Sequence, residues 1–257
     1  MPLIIDDDSS LFDQNFQRGH EPAPEGHDKR GYSKTFLSRF AATIQRGEWR
    51  ERIKEQRANK SAIDQRISWA SVNQGAYPTC WAACVCAAFT AARALNGQSI
   101  VRPSTMSVAV PISGGRRGGF VGEAVEYFTR HGAALENDWL ADDPRPQQGP
   151  KIDAARSAIR ILSALELATF DELATAALLG LPCAVWSDRW AHAFMSCSLI
   201  EVEASHFALR CRNNWGESWG DKNERGFGGF MDLSEHSRTR VDGGFVVYSV
   251  KQAKVAI

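Results

Sequence analysis

The side chains most able to do chemistry in this chain are cysteines and histidines, and one cysteine stands in a context that suits it to reaction. Residues 74–81 read Gln-Gly-Ala-Tyr-Pro-Thr-Cys-Trp, followed at once by an alanine-rich apolar run to about residue 95. That run is expected to form a helix with Thr79 as its cap and Cys80 in its first turn. The partial positive charge of a helix N-terminus favours a thiolate there. Gln74 lies six residues upstream, beyond a turn containing Gly75 and Pro78. Its amide can fold back beside the sulfur, and an amide donor is what a developing oxyanion needs. The competing reading is a buried cysteine used as a small hydrophobe.

A thiolate nucleophile requires a partner that balances its charge and then protonates a leaving amine, a role suited to imidazole. Of the six histidines, His20 and His27 fall in a polar arm, His131 at a helix stop and His236 in a late polar loop. His192 and His206 remain. His192 lies in Trp-Ala-His-Ala-Phe-Met-Ser-Cys-Ser, at the start of an apolar strand, 21 residues before Asn213. His206 opens His-Phe-Ala-Leu-Arg-Cys-Arg, where alternation turns Phe207, Leu209 and Cys211 inward and sets His206 with Arg210 and Arg212 on the other face. Residues 213–220, Asn-Asn-Trp-Gly-Glu-Ser-Trp-Gly, supply an amide acceptor that orients an imidazole without a carboxylate's full charge.

Taken together, Gln74, the Cys80-Trp81 pair, the His192-Ala193 strand start and the Asn213-x-Trp215-Gly216 segment resemble the papain-like cysteine peptidases. The resemblance runs from about residue 61 to the C-terminus. It implies an α+β, two-lobe fold: a helical lobe over about 61–150, an antiparallel β-barrel-like lobe over about 151–257, and residues 1–60 as an N-terminal extension. It implies Cys80, His192, Asn213 and Gln74 as catalytic residues, with Trp215 shielding the His192–Asn213 bond. Gly118 and Gly119, in Arg-Gly-Gly-Phe-x-x-Glu-Ala-Val-Glu-Tyr-Phe, match the family's cleft wall, where an extended substrate pairs with a bare backbone. Trp215 is counted with them at the substrate side. Phe120, Trp186 and Trp190 are the positions on which side-chain pockets depend.

The implied reaction is peptide hydrolysis through a Cys80 thioester, with no metal and no organic cofactor. Two other readings use the same residues: an acyl transferase or deamidase, and a docking component of a larger assembly with a vestigial site. The sequence departs from the family in several ways. Pro78-Thr79 replace the usual small residues before the nucleophile. His192 follows Pro182 closely, which shortens one cleft wall. The interspersed Glu-Arg-Phe-Asn-Ile-Asn signature of pro-segments is missing, so the extension reads as a docking arm or an unconventional pro-segment.

The remaining elements must position these residues. The 257 residues carry 30 basic and 30 acidic side chains, a formal net charge of zero with no long single-sign run, so nucleic acid is not expected as a partner. No apolar run reaches membrane-span length, and the first residues do not read as a secretory signal. The cysteine usual for a family disulfide, three residues before the nucleophile, is Tyr77; a reducing, cytoplasmic location or a virus particle or other large assembly is expected. The partner expected is a peptide or protein substrate, with residues 1–60 as the docking element of any assembly. Residues 1–33 are polar and are expected to pack on the domain or on a neighbour.

Residues 34–59 carry a helical pattern, with Phe36, Phe40, Ile44, Trp49 and Ile53 on one stripe, a break at Gly47 and a solvated basic face. Residues 100–112 show no strong period, and 114–119 read as a loop before a helix at 121–130. Residues 142–150 read as the crossover between lobes, followed by helical or mixed segments at 151–165 and 170–179, which the family would precede with a short strand. Strands are expected at 181–186, 226–233 and 243–250.

Overall fold

Nearly every side chain of the central helix is buried, which is why its sequence is alanine-rich rather than amphipathic: α3, Cys80–Leu95, is enclosed by other elements along most of its length. In a computed structural model, which describes residues 4, 5, 18–23, 41–237 and 240–250, α3 packs on α4 (Thr105–Ser113) and α5 (Val121–His131) on one side. On the other it packs on a sheet whose strand order is β1-β6-β5-β4-β3-β7-β2. These strands are β1 (Ile4–Ile5), β2 (Ile161–Leu167), β3 (Cys183–Ser187), β4 (His192–Glu203), β5 (His206–Arg212), β6 (Phe230–Ser234) and β7 (Gly243–Val250). All neighbours are antiparallel except β1, which runs parallel to β6 with Ile4 opposite Asp232. Among the described residues the sheet stays open between β1 and β2, so the lobe is α+β but not a closed barrel.

Strand alternation divides the core in two. Ala184, Trp186, Ala193, Met195, Phe245 and Val247 face α3 and α5. Cys183, Val185, Phe194, Leu209, Cys211 and Met231 face the opposite layer, made by α1 (Arg46–Ala58) and α7 (Phe170–Leu178). Helix α7 starts where Thr169 Oγ1 accepts from Glu172 N and Glu172 reaches back to the Thr169 amide, a reciprocal cap. Short helices α2 (Ile63–Arg66) and α6 (Pro150–Ala158) complete the set.

Several expectations change. Phe36 and Phe40 lie outside the described residues, and residues 41–45 are not helical: Ile44 N bonds Thr175 Oγ1, while Ile44 O accepts from Trp49 Nε1 at 2.9 Å. The helix begins at Arg46 with Gly47 inside its first turn, so that glycine is no break. Its basic face is not simply solvated. Arg46 pairs with Asp171 and Glu235, Arg50 with Glu201 and Arg57 with Asp64, while Trp49 is buried edge-on against Phe207. The exposed pairs contribute little each, so burial of the Trp49 ring supplies most of the attachment.

Residues 105–113, where no period is visible, form a helix capped by Ser104; six successive side chains, Thr105 to Val110, are buried, polar and apolar alike, which erases an amphipathic pattern. The strand near 161–167 follows α6 instead of preceding the segment, and β6 begins at Phe230, four residues late. Arg212 is not on a solvent face with His206: it is 3% exposed and spans to the Trp69 carbonyl and Glu217.

Among the described residues no helix is long and apolar enough to cross a membrane.

Candidate active site

Cys80 is the first residue of α3, and Thr79 holds the cap position with its carbonyl accepting from Ala82 and Ala83. The Thr79 hydroxyl is not the cap: it is buried with no hydrogen-bond partner. Gln74, also buried, donates its side-chain amide to the Tyr77 carbonyl at 2.8 Å, bracing the turn that leads to Cys80. Its backbone N–H is held by Asn214 O at 2.9 Å, which ties this turn to the β-rich lobe.

His192 is the first residue of β4, fully buried, opposite Ser187 of β3. Pairing of β4 with β5 sets Met195 opposite Arg212, and the chain leaving β5 then carries Asn213 back beside His192. His192 Nε2 and Asn213 Oδ1 are 2.7 Å apart. Trp215 stacks on the imidazole with centroids 4.6 Å apart, and Trp190 meets it edge-on at 5.1 Å, so both indoles exclude water from that bond. His206 is elsewhere, bonded to Ser234 and beside His236.

The two lobes meet through Asn214, which the sequence reading passed over in favour of its neighbour. Its Nδ2 lies 3.0 Å from Ala193 O and 3.5 Å from Cys80 O, bridging the start of α3 to the residue after His192. The Ala193 amide is also close enough to the Cys80 sulfur to favour its thiolate. Gln74, Cys80, His192, Asn213 and Trp215 thus lie around one junction. The doubled asparagine was the only sequence sign that a second amide works there.

Gly118 and Gly119 form the facing wall, and a peptide already lies on it. Gly119 N donates to Gly19 O at 2.8 Å, and Glu21 N donates to Gly119 O at 3.0 Å, a parallel bridge centred on His20. His20 N donates to Ala191 O at 3.2 Å. No side chain would be tolerated on these glycines. A Cβ on Gly118 would come within 2.7 Å of the Gly19 carbonyl oxygen, and one on Gly119 within 2.6 Å of the Trp81 ring. Residues 18–21, expected only as part of a polar arm, therefore lie across Gly119 and Ala191, a placement signalled in the sequence by nothing beyond the small Gly19. His27 lies outside the described residues.

Burial sets the electrostatics of the site. Burial pushes the Cys80 thiol up to about 11, even though the amides of Ala193, Gly19, Trp81 and His20 favour the thiolate. Burial likewise takes His192 down to about 3, against its hydrogen bond to Asn213 Oδ1, which favours the imidazolium. The helix terminus is outweighed, and with the arm in place the pair is a neutral thiol and a neutral imidazole. All six cysteines are free and buried. Among the described residues no group of His, Cys, Asp and Glu is arranged to hold a metal.

No protein-family model matches the sequence, and no curated protein matches it. Solved structures do. A digestive procathepsin L2 proteinase from Tenebrio molitor larval midgut superposes with a TM-score of 0.67 at 17% identity, over 95% of this chain and 82% of that one. Xylellain, a cysteine protease from Xylella fastidiosa, gives 0.58 at 16% identity, over 98% and 96% of the two chains. The proform of the Amb a 11 cysteine protease, a ragweed pollen allergen, gives 0.61 at 18% identity, over 91% and 75%. Helical layer, open antiparallel sheet and the junction between them are thus the architecture of these proteases, and the chain has the papain-like fold.

Proposed function

We propose that the chain is a cysteine peptidase held latent by its own residues 18–21. The observation that carries this reading is the junction itself, where Cys80 at the start of α3 is bridged by Asn214 to Ala193, next to the His192–Asn213 pair at 2.7 Å. Once the arm leaves, water enters, the burial that keeps both groups neutral falls, and the helix end and amides favour the thiolate.

In the forward step the Cys80 proton passes to His192 and the sulfur bonds to the substrate carbonyl carbon. The carbonyl electron pair moves onto oxygen, where the Cys80 N–H and the Gln74 amide are the proposed donors. The C–N bond breaks as His192 protonates the leaving amine. Water then gives a proton to His192 and attacks the thioester, and the C–S bond breaks to return the thiol. Asn213 holds the imidazole in the orientation that both transfers need. Gly118 and Gly119 are the proposed substrate-binding residues, since Gly119 already pairs with the arm and Gly118 lies against Gly19.

The parallel course of the arm at Gly119 supports a docking reading as well, in which the cleft is permanently filled and residues 1–60 serve a larger assembly. Free cysteines fit a reducing compartment for either. The deciding experiment follows hydrolysis of a mixed fluorogenic peptide set by the full chain, before and after limited proteolysis, with Cys80→Ala as control. Hydrolysis that appears as the arm is cut and depends on Cys80 supports the peptidase. A cut chain with accessible Cys80 and no hydrolysis favours the docking protein. Recovery of the acyl part joined to an added amine, in place of the free acid, would favour the acyl transferase.

A further inference from the structure

The backbone bonds between the arm and the cleft could be made by any residue, since they use only peptide groups at Gly119 and Ala191. Sequence is read by what the side chain at the centre of the bridge meets. His20 enters a pocket walled by Phe120, with centroids 5.9 Å apart, and Trp186, at 5.8 Å. Those two rings meet edge-on at 5.4 Å, and Trp186 lies against Phe245 behind. Gly243 lets the indole sit close, since a Cβ there would come within 2.6 Å of Trp186 Cζ2.

The far end of the pocket is acidic. His20 Nε2 is 2.9 Å from Asp188 Oδ1, and the His20 side chain is fully buried while Asp188 is half-exposed. Asp242 Oδ2 accepts from the Asp188 amide at 2.7 Å, which sets a second carboxylate beside the first. Asp188 is placed by the short β3–β4 connection, where Ala191 N bonds Asp188 O and Ala191 takes a left-handed conformation, φ 52°. This is the cleft wall that the close spacing of Pro182 and His192 shortens.

Resting on the peptidase reading above, we propose that this pocket selects substrates with a flat side chain carrying N–H donors at its far edge, arginine or histidine, and that Asp188 is the specificity-determining residue. Phe120 and Trp186 flank a planar group, as they flank the tilted His20 ring, which guanidinium and imidazole provide and lysine does not. The paired carboxylates take its N–H groups and disfavour acidic side chains. Leucine would satisfy the walls and leave Asp188 to water. Because that carboxylate is half-exposed, the discrimination is moderate, about tenfold rather than the thousands of a sealed polar site.

The test uses the full chain and first reads recognition without catalysis. Alkylation of Cys80 by iodoacetamide, mapped by mass spectrometry, reports how often the arm vacates the cleft. It is measured for His20, His20→Arg and His20→Leu, each with Asp188 and with Asp188→Ala. Arginine is expected to hold the arm as histidine does, leucine to label about tenfold faster, and that difference to shrink to about twofold without Asp188. Equal labelling of the leucine and histidine chains, or a difference that persists in Asp188→Ala, overturns the pocket.

A Gly19→Ala chain is then given fluorogenic peptides varied at one position. Arginine and histidine peptides are expected to exceed leucine about tenfold in kcat/KM, with the advantage lost in Asp188→Ala. Hydrolysis without that preference overturns the pocket and leaves the peptidase standing. Coupling in the labelling experiment with no peptide hydrolysed leaves the pocket standing and refutes the peptidase.

Discussion

Gly19→Ala puts the arm itself to the test. A Cβ at Gly19 would lie 2.7 Å from Pro78 Cα and closer still to the Pro78 carbonyl, backbone atoms fixed by the turn before α3. No rotamer change relieves such a contact, so the substitution is expected to drive residues 18–21 off the cleft. The magnitude follows from Cys80, whose thiol is raised by burial from 9.0 to about 11. If the arm supplies that burial, its loss restores about two pKa units, worth roughly 2.7 kcal/mol, or about a hundredfold more thiolate at neutral pH. Two effects oppose each other on top of this: the Gly19 and His20 amides that favour the thiolate depart, and the reagent gains access to a fully buried sulfur.

The assay is the pseudo-first-order rate of Cys80 carbamidomethylation from pH 6 to 9, with Cys84 and Cys197 as internal references that stay buried in both proteins. A rise of about a hundredfold confined to Cys80 is expected. A Gly19→Ala protein with native circular dichroism, unchanged melting and wild-type labelling would refute the argument that the arm buries the nucleophile.

Three further outcomes follow from other contacts. Asn213→Ala removes the acceptor from His192 Nε2 and from Asn214 N, and is expected to lower kcat by about 10² or more while KM changes little, measured on the arm-displaced enzyme. His192 is buried neutral with its pKa lowered to about 3, so its contribution to stability is complete above pH 6.5 and is lost as pH falls from there towards 3. A melting temperature that drops over that window, with less of a drop in His192→Gln, is expected; a flat profile would contradict it. Arg210 lies against Asp232 at 2.8 Å and Asp64 at 3.4 Å, both nearly buried; Asp64 keeps Arg57, so Arg210→Met strands the Asp232 carboxylate and should destabilise the fold by about 3 kcal/mol in urea denaturation.

The sequence by itself determined the local frames: a cysteine at the head of an apolar helix, a histidine at the head of a strand, and an asparagine beside a tryptophan. Each rests on residues within a few positions, so helix capping, strand alternation and turn chemistry suffice to read it. The helix at 105–113 escaped because its first six side chains, polar and apolar alike, are buried, which leaves no period to find. The start of α1 escaped because Ile44 is held outside the helix by Thr175, 131 positions away. The charge state of the site was also beyond local reading. A helix N-terminus argues for a thiolate, yet whether Cys80 carries one is decided by desolvation, a sum over everything that covers the sulfur, including Gly19 and His20 from the far end of the chain. Only the tertiary structure lays those residues across the cleft, and with them places the Phe120–Trp186–Asp188 pocket around an imidazole.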